Sequence, residues 1–480
     1  MNDNDKIRVF SGLFWKFAER SGAQIIQFIV QIVLARLLTP ADYGVIGLIT
    51  VFIAISSVFA QSGLGQALVQ RKNIDNEEFS TVFYFSLAFS VVIYAILFAI
   101  APIIANFYNE PILTKVVRVL GITVIIGAVN SVQHSYVQKT MQFKRFFWST
   151  LFGTIVSAFV GIYMAYRGYG VWALVAQQMT NQIIDTLVLW FTVKWRPILI
   201  FSLSKARRLF SFGWKMLCSS LIDTVYNNIY SLIIGKFYSP SSLGYYNRGK
   251  QFPMLIIQNI NTAIDSVLFP VMSEAQEEKE RLKSMVRRSI TTSTFFIFPA
   301  MAGLAAVAKP LTLILLTDKW LPAVPFIQFC CVTYAFWPVH TANLQAIKAV
   351  GRSDIYLKLE IVKKVVCILI LIVTIPFGLY SMMWGSCAST LICSFINAFP
   401  NKKLLGYSYW EQVKDMLPSA ALSILMMIIV MSIQIFNLNN WLTIIIQIML
   451  GVTIYFGAAH LLKIECMTYI TKMIKGMIKK

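Results

Sequence analysis

Ionisable and amide side chains interrupt several of the chain's long apolar segments. The candidates for a binding site among them are Arg20, Lys215, Asp223, Asn227, Arg248 and Lys250. A charged group at bilayer depth is costly unless it faces water, a ligand or a partner. Arginine offers a planar fork of donors and lysine a point charge, and both bind phosphate-like anions. The pattern predicts a central polar cavity with a positive balance, which would hold an anionic ligand.

Arg20 and Lys215 also allow a simpler interpretation. Both fall at the cytoplasmic start of their predicted helices, where basic side chains commonly extend to lipid headgroups. Anchoring is the alternative for these two residues. Asp223, Arg248 and Lys250 lie within predicted membrane segments, where an ionisable residue is a functional candidate by default.

Three carboxylates are candidates for coupling transport to a gradient of H⁺ or Na⁺. They are Glu19, Asp185 and Asp223. Asp185 lies nine residues before Lys194, which places it about 13 Å from the inner end of its helix at a rise of about 1.5 Å per residue. Protonation of such groups would change how strongly they compete for the cavity cations.

Cysteine and histidine give no pattern of a metal site, disulfide framework or cofactor. The seven cysteines contain no C-x-x-C pair and mostly lie in apolar segments, which is typical of small packing residues. The histidines are far apart: His134 and His460 fall at predicted inner helix ends, and His340 is interpreted as a packed residue or, alternatively, a proton relay. No P-loop is present, so ATP hydrolysis by this chain is not expected.

The composition predicts a polytopic, all-α membrane protein. Hydrophobic residues make up 57% of the 480 residues and charged residues 13%, against about 25% charged in a soluble protein. The net charge of +21 would suggest nucleic acid as a partner in a soluble chain. Here most Lys and Arg residues lie in connections on one side of the predicted spans, so we expect no nucleic acid and place both termini in the cytoplasm.

About fourteen apolar segments are long enough to cross a bilayer, which needs about 20 residues. They are Ser21–Leu38, Val45–Leu64, Thr81–Ala105, Val116–Val132, Phe147–Tyr166, Val171–Val193, Leu209–Phe237, Gly244–Met272, Ile290–Leu316, Val324–Ile347, Leu357–Pro376, Gly378–Phe399, Leu417–Phe436 and Trp441–Leu462.

An internal repeat organises these spans. Arg36 and Lys236, Thr39 and Ser239, Pro40 and Pro240, and Gly44 and Gly244 are pairs separated by 200 positions. Six spans per repeat is an even number, so the two halves should be parallel. The predicted organisation is a six-helix half over 1–200, a second over 201–405, an additional helix pair over 406–463 and a basic amphipathic cytoplasmic tail over 464–480.

Several stretches resemble the Wzx-type flippases of bacterial lipopolysaccharide, O-antigen and exopolysaccharide synthesis. They include GLFWKFAERSGAQIIQFIVQIVLARLLTPADYGVIGL, NNIYSLIIGKFYSPSSLGYYNRGKQFP, DKWLPAVPFIQ and GRSDIYLKLEIVKK. The resemblance implies a multi-pass protein of the bacterial inner membrane that flips an undecaprenyl-diphosphate-linked oligosaccharide between leaflets. It also implies contact with membrane lipids and allows other polysaccharide-assembly membrane proteins as partners.

Two rival functions remain. A cation-coupled multidrug and toxin exporter has the same fold, but a cavity for cationic drugs should be acidic, whereas Arg248 and Lys250 are basic. A membrane enzyme such as a polymerase needs a large outer loop or a catalytic cluster, and the longest outer connections, about 106–115 and 317–323, are short. The sequence therefore favours a transporter over an enzyme.

Overall fold

The computed structural model describes residues 15, 22–61, 65, 68 and 75–468. Within this part of the chain the regular structure is helical and no strand is present. The α-helices, which we number in chain order, are α1 (Gly22–Leu37), α2 (Pro40–Gln61), α3 (Asn76–Tyr108), α4 (Ile112–Lys139), α5 (Phe143–Tyr166), α6 (Val171–Thr192), α7 (Leu203–Phe237), α8 (Pro240–Glu274), α9 (Lys279–Leu315), α10 (Val324–Ala335), α11 (Trp337–Ala349), α12 (Ser353–Thr374), α13 (Leu379–Leu405), α14 (Tyr409–Ser432) and α15 (Asn440–Leu461).

In the described part of the chain, each of the fourteen predicted spans coincides largely with helical structure. The tenth span differs, because it consists of two helices, α10 and α11, that meet at Phe336. Pro338 is the second residue of α11. Because proline lacks a backbone N–H, it fits the first turn of a helix better than the interior. The span is therefore interrupted at Phe336, and a separate helix, α11, begins after it.

Nine helices among the described residues are long and apolar enough to cross a membrane by length and composition. The first helix, Gly22–Leu37, is apolar but short in its described part. The other predicted spans outside this set of nine are α6, α7, α8 and α12. These four helices carry Asp185, Asp223, Lys250 and Glu360 respectively. Low hydropathy therefore marks the spans with polar side chains, as expected of helices that surround a polar interior.

The helices form two compact units, Met1–Gly244 and Tyr245–Lys480. In the first unit, α5 packs against α6, α3 against α4, and α2 contacts both α4 and α7. A cluster of buried aromatic and aliphatic residues, including Phe83, Phe146 and Trp195, joins α3, α5 and the segment after α6. The boundary between the units falls near the start of α8, after Gly244, and is later than the predicted repeat boundary at residue 200.

The repeated Pro-x-x-x-Gly turns contact each other within the first unit. A methyl group on Gly44 would overlap the backbone carbonyl of Pro240, and a methyl group on Gly244 would overlap that of Pro40. The starts of α2 and α8 therefore cross backbone to backbone, which only glycine permits. A reciprocal contact between equivalent residues is the pattern that a local two-fold axis produces.

In the second unit the long helix α9 is central and packs against α10, α14 and α15. Phe295 of α9 lies in a buried cluster with Met426 of α14 and Tyr455 of α15. The Tyr455 hydroxyl donates a hydrogen bond to the Phe295 carbonyl at 2.8 Å. The predicted additional helix pair thus packs into the second unit. Residues 469–480 of the predicted amphipathic tail lie outside the described part.

The start of α3 is joined to α7 by an ion-pair cluster. Lys205 Nζ donates to Asp75 Oδ2 at 2.8 Å and to Glu77 Oε2 at 2.6 Å. The hydrogen bond from Lys205 lowers the pKa of the Asp75 carboxyl, which also caps α3 through the Glu78 N–H. Both carboxylates are well exposed, so the cluster fixes geometry more than it adds stability.

Candidate functional site

Asp185 of α6 is held by two side chains of α4. Asn130 Nδ2 donates a hydrogen bond to Asp185 Oδ2 at 2.7 Å, and His134 Nε2 lies 3.4 Å from the same oxygen. Asn130 and His134 are four residues apart and therefore share one face of α4. Their two nitrogen donors meet the requirement that a buried carboxylate be hydrogen-bonded.

Gly153 allows α5 to approach α6 closely beside this site. A methyl group at Gly153 would lie 3.2 Å from the Asn181 carbonyl oxygen and 3.5 Å from the Asp185 backbone nitrogen. One face of His134 is covered by Phe146 of α5, whose ring centroid is 4.6 Å from that of the imidazole. His134, which was predicted to lie at the inner end of its helix, thus contacts a carboxylate of a neighbouring helix in the first unit.

A polar cavity of about 420 Å³ adjoins this group in the first unit. Its lining residues come from α2, α4, α6, α7 and the segment after α2, and they are Val58, Gly65, Gly127, Asn130, Ser131, His134, Ser135, Gln138, Gln182, Leu217 and Ser220. A cavity of this size is large enough to hold several water molecules. Asp185 is mostly buried, with 17% of its side chain exposed, whereas His134 is 41% exposed. His134 therefore stands between the buried carboxylate and the space that water can enter.

The predicted site residues of α7 all lie on exposed positions of the first unit. They are Lys215, Asp223 and Asn227. Asp223 and Asn227 share a helix face, as their spacing predicts. Glu19 and Arg20 lie outside the residues that the structure describes.

Arg248 and Lys250 of α8 have different surroundings in the second unit. Arg248 is 5% exposed, its Nη1 donates to Gln251 Oε1 at 2.5 Å, and its guanidinium lies 5.8 Å from the centroid of the Trp320 ring. Lys250 is half-buried, and it lies near the neutral thiol of Cys330 on α10. Between them, a methyl group on Gly249 would lie 2.9 Å from the Ile327 nitrogen, so α8 packs closely on α10.

The second unit also contains a buried amide network that the sequence did not reveal. Asn343 of α11 and Gln412 of α14 exchange two hydrogen bonds, of 2.9 and 3.0 Å. Asn401 Nδ2 of α13 donates to Asn343 Oδ1 at 2.6 Å. All three side chains have 0% exposure. The network joins three helices, and its full burial shows that it contributes to their packing.

His340 of α11 pairs with α13 in the same unit. Asn397 Nδ2 lies 3.0 Å from His340 Nδ1, so the amide donates and the imidazole nitrogen accepts. On α12, Lys363 Nζ lies 2.6 Å from Glu360 Oε1, and both side chains are largely buried. Asn397 and Asn401 are four residues apart and therefore share one face of α13. This spacing could have predicted a polar face on that helix from the sequence.

The described residues contain no group of three or more His, Cys, Asp or Glu side chains that could hold a metal ion. Cys367 and Cys393 lie with their Sγ atoms 3.5 Å apart, and the seven cysteines are free thiols. The carboxylate and imidazole of Asp185 and His134 lie together in the first unit. The basic side chains of Arg248 and Lys250 lie in the second unit.

Residues 33–325 match the family model described as polysaccharide biosynthesis protein. The teichuronic acid biosynthesis protein TuaB of Bacillus subtilis (strain 168) is 24% identical over 455 residues, which cover 93% of this chain and 94% of TuaB. The succinoglycan biosynthesis transport protein ExoT of Rhizobium meliloti (strain 1021) is 22% identical over 396 residues, which cover 82% of this chain and 78% of ExoT.

The fold is similar to that of the lipid II flippase MurJ in an inward closed conformation. The TM-score is 0.75 at 13% identity, covering 94% of this chain and 99% of the MurJ chain. These likenesses confirm the predicted all-α transporter fold and the resemblance to polysaccharide flippases at the level of family. Because the family model matches more than half of its residues, the chain belongs to the polysaccharide biosynthesis protein family, and its apolar helices indicate a multi-pass membrane protein.

Proposed function

We propose that this protein is a flippase for a lipid-linked oligosaccharide in polysaccharide biosynthesis. Its substrate would be an oligosaccharide repeat unit on undecaprenyl diphosphate, moved from the cytoplasmic to the outer leaflet of a bacterial inner membrane. The observation that carries the proposal is the placement of basic and amide side chains on α7 and α8, two helices of low hydropathy in a transporter of this family. Its relatives TuaB and ExoT are named for polysaccharide synthesis and transport.

The chemistry of these side chains suits such a substrate. A diphosphate carries negative charge that Lys215, Arg248 and Lys250 would attract, and amides such as Asn227 would bind sugar hydroxyls. Arg20 would add to this charge. We propose alternating access as the mechanism, in which binding stays moderate so that the lipid is released outside.

A cation gradient would drive the cycle in this proposal. The carboxylates Glu19, Asp185 and Asp223 are its candidate sites, with H⁺ or Na⁺ as the ion. Both termini would lie in the cytoplasm, as the distribution of basic residues predicts. No part of the proposal requires a catalytic residue.

The basic residues of α8 provide the test of function. We expect Arg248→Ala and Lys250→Ala to reduce surface polysaccharide more than tenfold in a strain that lacks its own flippase, with normal amounts of protein in the membrane. Arg248→Lys should retain more activity than Arg248→Ala, because lysine keeps the positive charge although it lacks the planar array of donors of the guanidinium group. The measurement is surface polysaccharide, with an immunoblot for protein level.

Arg281→Ala and Lys279→Ala are matched controls at exposed positions at the start of α9, and both should complement fully. Wild-type polysaccharide from both α8 alanine variants would remove these cations from the substrate path. Restored drug resistance without restored polysaccharide, in a strain lacking its drug exporters, would instead favour the multidrug exporter.

A further inference from the structure

An exposed apolar loop connects α6 with α7. Residues 193–202 are irregular backbone. The large apolar side chains of residues 198–203, which we call the apolar loop, are all exposed, and they are Ile198, Leu199, Ile200, Phe201 and Leu203. Leu199 is 94% exposed and Leu203 is 73% exposed. A contiguous apolar surface of this kind marks a site of contact with a membrane or a partner.

The backbone of the apolar loop is fixed to α3 by two hydrogen bonds. The Ile198 N–H donates to Ser80 Oγ at 3.0 Å, and the Ser202 N–H donates to Thr81 Oγ1 at 3.2 Å. Ser80 and Thr81 are both fully buried. Because the backbone is held at both ends, the apolar side chains between them are presented outward by a defined conformation.

The same hydrogen bonds define the depth of the apolar loop relative to the membrane spans. Ser80 lies four residues after the start of α3 at Asn76, which is about 6 Å along the helix at about 1.5 Å per residue. Thr81 is the first residue of the apolar segment predicted for this span. The loop therefore lies where the hydrocarbon region is expected to begin. Since irregular backbone is not stable against lipid within that region, the backbone belongs at the headgroup boundary and its side chains reach toward the acyl chains.

Basic side chains flank the apolar loop on both sides in the sequence. Lys194 precedes it and Arg207 follows it, and both are exposed. The nearby Lys205 has a different role, since its ammonium group pairs with Asp75 and Glu77. Apolar side chains between exposed basic residues are typical of a segment that lies in the interface of an anionic membrane.

A lipid surface fits the apolar loop better than a soluble protein partner. Leu187 and Phe191 are exposed side chains one turn apart near the end of α6, so they share a face of that helix. An apolar strip on a membrane span thus leads directly to the loop in the sequence. A partner in the cytoplasm would instead need an apolar surface beyond the end of the span.

We propose that the apolar loop inserts its side chains into the cytoplasmic leaflet, where Lys194 and Arg207 bind the phosphate groups of anionic phospholipids. The assignment to the cytoplasmic side follows from the distribution of basic residues. Insertion anchors the connection between α6 and α7 at a constant depth. This inference does not rest on the proposed function, because a protein with any transported substrate could anchor this connection in the same way.

Fluorescence of the full-length protein in lipid vesicles tests the insertion. An environment-sensitive fluorescent amino acid replaces Leu199 in one variant, Phe201 in a second and Gln276 in a third. Gln276 is the matched control, because it is exposed in the connection between α8 and α9, on the same predicted side of the membrane. We expect the emission at positions 199 and 201 to be blue-shifted relative to that at 276, and to be quenched by bromine atoms on the lipid acyl chains.

The preference for anionic lipid is measured in the same vesicles. They contain phosphatidylcholine and phosphatidylglycerol in equal amounts, and only one of the two lipids is brominated at a time. Brominated phosphatidylglycerol should quench the probe at position 199 more strongly than brominated phosphatidylcholine. The double variant Lys194→Gln, Arg207→Gln should lose this difference and keep the blue shift.

Two results would contradict the inference. Equal quenching by the two brominated lipids in the protein that retains Lys194 and Arg207 would overturn the binding of anionic headgroups. Emission at positions 199 and 201 like that at 276, without quenching by either lipid, would overturn the insertion and leave the apolar loop as a surface for a protein partner.

Discussion

The Gly44→Ala variant is expected to lose most of its folded protein. A methyl group at this position would occupy the space of the Pro240 carbonyl, and the reciprocal variant Gly244→Ala would meet the Pro40 carbonyl. A flexible side chain can move away from an added methyl group, but a backbone carbonyl at the start of a helix cannot. The helices α2 and α8 would have to separate, and overpacking of this kind costs about 1–3 kcal/mol or more. The measurement is the yield and thermal unfolding of the monodisperse protein in detergent.

Gly457→Ala is the matched control for this prediction. Gly457 lies on an exposed position of α15, and a methyl group there would meet no atom within 4 Å. Alanine is favoured over glycine in a helix by about 1 kcal/mol, so this variant should be as stable as the wild type or more so. Normal stability of both Gly44→Ala and Gly244→Ala would show that the two turns do not form this close crossing.

The second large effect is expected from Asn343→Leu in the buried amide network. The substitution keeps the branch at Cγ, although leucine is larger than asparagine, and it removes the bonding partner of both Gln412 and Asn401. Each buried polar group left without a partner costs about 1–3 kcal/mol, so the second unit should lose a few kcal/mol of stability. At about 2–4 °C per kcal/mol for a unit of this size, the unfolding temperature should fall clearly in a detergent thermal-shift measurement.

Two comparisons distinguish lost hydrogen bonds from altered packing. Asn106→Leu, at an exposed position of α3, should change the unfolding temperature little. The triple variant Asn343→Leu, Asn401→Leu, Gln412→Met replaces all the partners by apolar groups, and it should be more stable than Asn343→Leu alone. A triple variant less stable than the single one would contradict the account based on unsatisfied amides.

The sequence predicted the helices well because each span is encoded locally. An apolar segment of sufficient length, bounded by basic residues, is enough to identify a span such as α14 or α15. The break between α10 and α11 was missed, although Pro338 was visible, because the residues on both sides of Phe336 are apolar and hydropathy does not register a change of helix. The contact between the Pro-x-x-x-Gly turns was also missed, since a repeat shows equivalence but not proximity.

The candidate site was predicted only in part, for a related reason. Asp185 was recognised because a single carboxylate within an apolar segment is costly wherever its neighbours lie. His134 contacts Asp185, which is 51 positions away in the sequence, and this contact follows from how α4, α5 and α6 pack. The same holds for Arg248. The sequence predicted that its charge lies within a membrane segment, but its contacts with Gln251 and Trp320 could be seen only in the structure.

The reciprocal contact of the Pro40–Gly44 and Pro240–Gly244 turns has a consequence for association between chains. A surface that pairs with an equivalent copy of itself is self-complementary, which is a property of symmetric homodimers. Here both copies belong to one polypeptide, so the contact forms at an effective concentration set by the connecting chain and not by the amount of protein in the membrane. A half chain with only one of these turns would present an unfilled partner surface, and a second identical half chain would fit that surface in the same way.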